Sequence, residues 1–200
     1  MIDFYTFMSG LQLTCIYGIL AIGVSIIWSS LGMLNLAHGF TFAASGYGAW
    51  CAATFLSTSA FAVFGGGILT GALVGGLIYA VAFLYLHDKP NYQIRALIAT
   101  MAINLIGVQA LMWTFGPRMK PLPKVFGSGS FRYGDLFATN SQIGTVVCSS
   151  FVLIILLFWL SRSRQGLQIR AMMQNPEGAA LVGISLRMTA LWVMILAGAL

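Results

Sequence analysis

Charged residues are confined to a few short stretches of this chain, and uncharged runs of membrane length separate them. From Phe4 to His87, 84 residues pass without an Asp, Glu, Lys or Arg. Ala96 to Pro117 is a second such window, of 22 residues, and Leu136 to Ser161 a third, of 26. A helix that crosses a bilayer needs roughly 20 mostly apolar residues. The pattern predicts spans at Leu11–Ser29, Phe40–Leu56, Phe61–Leu86, Ala96–Phe115 and Ile143–Leu160, with a sixth apolar segment starting at Leu186 and still running at Leu200. Period-2 alternation is absent, and open strands leave backbone groups unsatisfied in lipid, so all spans read as helices. The expected fold is an all-α polytopic membrane bundle with about six apolar segments, in a single transmembrane domain over residues 1–200.

Composition supports this class. The chain is 59% hydrophobic and 7% charged, with a mean hydropathy of +0.90; soluble domains carry about 25% charged residues. The net charge of +6 comes from ten Lys and Arg against four Asp and Glu. These charges sit in short connections, which fits orientation signals of a membrane protein rather than a nucleic-acid surface. The three cysteines, Cys15, Cys51 and Cys148, lie in apolar runs at no metal-binding spacing and read as small apolar residues. The N-terminus lacks the basic start of a cleavable signal peptide, so the first apolar run is expected to remain as a span.

Three features carry candidate chemistry. Gly67, Gly71 and Gly75 recur every four residues and form one helical ridge, which suits a tight helix–helix seam where lipid supplies no hydrophobic drive. Thr100 and Asn104 share a face of the fourth span, where an interhelical hydrogen bond is the first expectation. The stretch LGMLNLAHGF, residues 31–40, places Asn35 and His38 at membrane depth between Gly32 and Gly39. Non-helical backbone there is tolerated only against protein or a water-filled cavity. Two readings are open: Asn35 and His38 satisfy the freed backbone and lock a helix break, or with Gly32, Gly39 and Asn104 they line a translocation path. Residues 116–140 form the one long polar loop, whose three prolines and four glycines argue against a continuous helix.

NPEGAALVGIS, residues 175–185, is a helix with both ends marked. Asn175 suits the N-cap, Pro176 the first turn, Glu177 the positive end of the helix dipole, and Gly183 the stop. The helix expected over residues 176–182 spans about 10 Å at 1.5 Å per residue. Its small apolar surface, Gly178, Ala179, Ala180, Leu181 and Val182, suits insertion into a partner's groove. A helix lying on lipid would instead carry a charged outer face.

Glu177-Gly178-Ala179, three residues and Gly183 resemble the EAA-xxx-G loop of ABC importer permeases, with Gly178 where that family usually has Ala. GLQIRAMMQNPEGAALVGIS is similar to the matching region of branched-chain amino acid permeases. GMLNLAHGF resembles their G-M-I/L-N-x-A-H-G stretch, and RALIATMAINL and FGPR fall at comparable places. The resemblance covers most of residues 10–200 and implies a permease subunit of a high-affinity branched-chain amino acid importer in a bacterial inner membrane. The family continues for further spans, so the chain is expected to be truncated, with C-terminal spans missing.

The resemblance implies that residues 161–185 are a cytoplasmic coupling loop, in which Pro176, Glu177, Gly178, Ala179, Leu181 and Gly183 dock on an ABC ATPase subunit. It implies a second homologous permease subunit and a periplasmic substrate-binding protein as further partners. No G-x-x-x-x-G-K-S/T loop is present, so ATP would be used by the separate ATPase; neither enzymatic activity nor a cofactor or metal is expected of this chain. Arg162, Arg164 and Arg170 fit a cytoplasmic position, and residues 87–95, with Lys89 and Arg95, then share it. Residues 116–140 become a periplasmic loop. Its Arg118, Lys120 and Lys124 are candidates for docking the binding protein, helped by Arg132 against one acid, Asp135. By charge alone the two sides divide five against four. If residues 31–56 span fully, the N-terminus is outside; if they re-enter, it is inside. A urea or short-amide importer, or an ABC-independent channel or secondary transporter, are the alternatives; the latter leaves the capped helix unexplained.

Overall fold

The computed structural model describes residues 4–127, 129–133 and 136–200; Asp135, counted above as the loop's one acid, lies outside the described residues. The helices are α1 (Phe4–Leu31), α2 (His38–Phe55), α3 (Ala60–Ile78, continued by a π-helical turn at Tyr79–Phe83), α4 (Tyr92–Phe115), α5 (Asn140–Arg162), α6 (Arg164–Gln174), α7 (Pro176–Leu181) and α8 (Leu186–Ala199). A short antiparallel hairpin, β1 (Ser130–Tyr133) with β2 (Leu136–Thr139), sits in the long loop and pairs Phe131 with Ala138. The architecture is an all-α polytopic bundle.

Among the described residues, four helical stretches are long and apolar enough to cross a membrane: Phe4–Leu31, Ala60–Phe83, Tyr92–Phe115 and Asn140–Arg162. Of the six segments expected from the sequence, these four qualify; α8 is apolar but shorter, and α2, with 18 residues, is long enough but less apolar, since His38, its glycines and its hydroxyl side chains dilute the run. The first helix already covers Phe4–Gly10 ahead of the expected start at Leu11, because FYTFMSG continues the uncharged run and its single glycine does not interrupt the helix. Helix α6 was not expected within the polar connection. Ser163 caps it by accepting from the Gly166 N–H at 2.8 Å, and Ile169 and Met172, three apart, bury against the core.

Contacts at the helix ends order the spans by side. Ser9 Oγ accepts from Gln142 Nε2 at 2.8 Å, and the Tyr5 ring meets Phe137 at 5.8 Å. Helices α1 and α5 therefore start on the same side as the 116–140 loop and run parallel. The other end of α1 reaches the side of residues 161–185, where Ser30, Gly32, Tyr92, Met172, Pro176 and Leu186 line a common cavity of about 210 Å³. The chain then climbs back beside α4: Phe40 bonds to Asn104, and Tyr47 stacks on Phe115 at 4.4 Å. Residues 32–55 thus cross from one side to the other, and the Phe4 end of α1 lies on the side of residues 116–140.

The glycine ridge of α3 serves two neighbours. A Cβ on Gly67 would meet the Ser45 carbonyl oxygen of α2 at 3.4 Å, whereas Cβ atoms on Gly71 and Gly75 would strike the backbone of α8 at Gly198 and Met194. A Cβ on Gly66 would likewise stand 2.8 Å from the Gly48 carbonyl oxygen of α2. Backbone-to-backbone approach of this kind maximises dispersion contact where apolar burial gains nothing from lipid.

Candidate functional site

Helix α1 stops at Gly32, whose φ of +63° only glycine adopts without strain. The next residues are non-helical, ending in a turn at Leu36–Ala37, and burial alternates along them: Met33, Asn35 and Ala37 are buried, while Leu34 and Leu36 are 36% and 42% exposed. Helix α2 then starts at His38 with no side-chain cap of its own. Its free donors are met partly from α4. Thr100 Oγ1 accepts from the Leu36 N–H at 3.2 Å, and Asn104 Oδ1 accepts from the Phe40 N–H at 3.1 Å. Asn35 Oδ1 accepts from the Ala37 N–H at 3.1 Å. Thr100 stands eight residues into α4, so the break reaches about 12 Å into the bundle.

His38 does something different from Asn35. It is 8% exposed, and neither ring nitrogen has a hydrogen-bond partner among the described residues. Its imidazole lies on Gly23 of α1, where a Cβ would stand 3.1 Å from both Cε1 and Nε2. Gly23 is therefore the residue that lets α2 start against α1, and sequence reasoning missed it. A lone glycine in an apolar run gives no local signal of such a contact. Gly39, expected to bound the break, belongs instead to the first turn of α2. It lies on the exposed side of that helix with Phe42 and Gly46, continuing the edge that Leu34 and Leu36 begin.

On the opposite side, α7 has the ends its sequence implies. Asn175 Oδ1 accepts from the Gly178 N–H at 3.0 Å. Pro176 occupies the first turn, and Glu177 is the acid there. Gly183, at φ +87°, donates to the Ala180 carbonyl, and Ile184 donates to that of Ala179, both at 3.0 Å. Ala179 faces the core, whereas Glu177, Leu181 and Val182 face outward, Leu181 being 89% exposed. In the long loop, Arg118, Lys120 and Lys124 are exposed. The Lys120 ammonium, however, turns back over the Trp50 ring of α2, 5.0 Å from its centroid. Among the described residues no group of three His, Cys, Asp or Glu is placed to hold a metal ion.

Membrane-length apolar helices, a non-helical break between α1 and α2, and a short capped helix beyond their ends define a polytopic membrane protein. Residues 6–200 match the family described as the permease component of the branched-chain amino acid transport system, and the chain belongs to that family. It is 26% identical over 89% of its length to the high-affinity branched-chain amino acid transport system permease protein BraD of Pseudomonas aeruginosa, covering 61% of that protein. It is 28% identical over 91% of its length to the probable branched-chain amino acid transport permease protein LivH of Methanocaldococcus jannaschii, covering 58%. LivH of Escherichia coli, a high-affinity permease protein of the same system, is 24% identical over 88% of the chain and is covered to 61%. The chain thus spans about three-fifths of the length of these curated relatives. No solved structure matches it.

Proposed function

We propose that this chain is part of the membrane subunit of a binding-protein-dependent ABC importer for branched-chain amino acids, in a bacterial inner membrane. A separate ATPase subunit supplies the energy, and a second permease subunit completes the path. The solute passes along the exposed edge of residues 33–37 and the adjoining face of α2. Helix α7 receives the ATPase through Glu177, Leu181 and Val182, and Arg118 and Lys124 help to seat the periplasmic binding protein. Family membership supports the transport role, and the relatives' names support the substrate class.

The observation that carries the path is the exposure of Leu34 and Leu36 on unwound backbone well inside the bundle. Lipid does not cover irregular backbone; protein or water must. Leu36→Cys in the assembled transporter is therefore expected to react with a membrane-impermeant thiol reagent and to be protected when substrate is loaded. Phe151→Cys, on the apolar exposed face of α5, should stay unreactive. Leu36→Cys as inert as Phe151→Cys would place the path elsewhere.

A further inference from the structure

The outer end of α2 carries a pocket distinct from the break. Ala43, Gly46, Tyr47 and Trp50 of α2, with Lys120 and Leu122 of the following loop, enclose about 180 Å³. Phe115 stacks on Tyr47 and meets Trp50 edge-on at 6.0 Å, which braces the aromatic wall. Lys120, though exposed, holds its ammonium against this wall. The ion pair found among the described residues joins Arg187 to Asp88 on the other side of the molecule, so no described acid neutralises Lys120. A lysine over a ring keeps ammonium donors free for an anion. From the pocket, Gly46, Phe42 and Gly39 lead along the exposed face of α2 to Leu36 at the break.

We propose that this pocket is an entry subsite for the amino-acid substrate, with Lys120 binding its α-carboxylate and Leu122 its aliphatic side chain. A carboxylate leaving water needs a charged or hydrogen-bonding partner, and Lys120 is the cation present. The Tyr47 and Trp50 rings form the apolar wall against which the aliphatic part of the substrate packs. The volume holds one small amino acid, and the groove below continues toward the break. This assignment rests on the importer reading above and gives Lys120 a role separate from binding-protein docking.

The test is a leucine titration of the assembled transporter in nanodiscs, without binding protein, followed by tryptophan fluorescence. A saturable change is expected, absent in Trp50→Phe. Lys120→Gln should weaken apparent affinity about tenfold or more, as loss of a charge-assisted bond does. Lys120→Arg should restore most of it, and Lys89→Gln, an exposed lysine on the other side of the molecule, should leave it unchanged. 3-Methylbutylamine, which is leucine without its carboxylate, should give no response. An unchanged affinity in Lys120→Gln, or a signal that survives Trp50→Phe, would overturn the subsite. So would a slower association of binding protein with Lys120→Gln when the leucine titration is unaltered, since Lys120 would then serve docking. ATP-driven leucine uptake by the wild type tests the importer reading separately: uptake without the Trp50 signal removes the subsite alone, and no uptake removes the importer reading.

Discussion

Gly23 and His38 show how one missing side chain sets the geometry of the break. The imidazole occupies the space a Cβ at residue 23 would need, at 3.1 Å, so even alanine requires the ring to shift by a few tenths of an ångström. A larger residue cannot be accommodated without moving α2 off α1, because close-packed interiors absorb added volume poorly. Gly23→Ala is expected to reduce substrate uptake partially and Gly23→Leu to abolish it, with both proteins still inserted at normal levels. Uptake measured against membrane abundance checks this, and full uptake by Gly23→Leu would show that the contact is dispensable. The hydrogen bonds from Thr100 and Asn104 act at the same scale but differently. They satisfy N–H groups that no residue of α2 caps, so they hold the break without filling it.

At the scale of the element, α7 is short enough that its ends decide whether it exists. A helix of six residues has little cooperative stability of its own. The Asn175 cap contributes about 1 kcal/mol, and Gly183 avoids the roughly 1–2 kcal/mol that a left-handed conformation costs other residues. Gly183→Val should therefore loosen the helix and lower substrate-stimulated ATP hydrolysis severalfold. Leu181→Asp should do the same by a different route, since it leaves the helix intact and puts a charge on its exposed apolar end. Circular dichroism and insertion should be unaltered in Leu181→Asp. Normal stimulation in both variants would exclude α7 as the ATPase contact. Ala179 is the less informative position, because it faces the core and a bulky replacement would disturb packing as well as docking.

Over the whole molecule, the order of sides follows from which ends meet. The contacts of Ser9 with Gln142 and of Tyr5 with Phe137 put the start of α1 beside the hairpin, whereas residues 87–95 and α7 gather at the other end. Cysteines placed at Ser57, between α2 and α3, and at Met119 should accordingly label from the same side in sealed vesicles. A cysteine at Gln174 should label only after the vesicles are opened or inverted. Labelling of positions 57 and 119 from opposite faces would break this order of spans. The crossing by residues 32–55 is what makes the order consistent, since a segment that returned to its own side would reverse every span after it.

The sequence by itself determined the class of protein, the approximate positions of the spans, the glycine ridge of α3 and both ends of α7. Each rests on local chemistry: apolar length, four-residue spacing, an Asn cap and glycine stops. Gly32 was legible for the same reason, because a glycine ending an apolar helix marks a change of backbone direction. Only the tertiary structure decided that Gly23 receives His38, that Leu34 and Leu36 are the exposed edge of the break, and that Asn104 caps a helix 64 residues earlier in the chain. Those pairings depend on how far α2 climbs beside α4 and how closely it approaches α1. Helix α6 was hidden because its sequence is polar enough to pass for a connection until Ile169 and Met172 find the core. The side on which α1 begins was likewise a matter of contacts between helix ends, which no window of sequence contains.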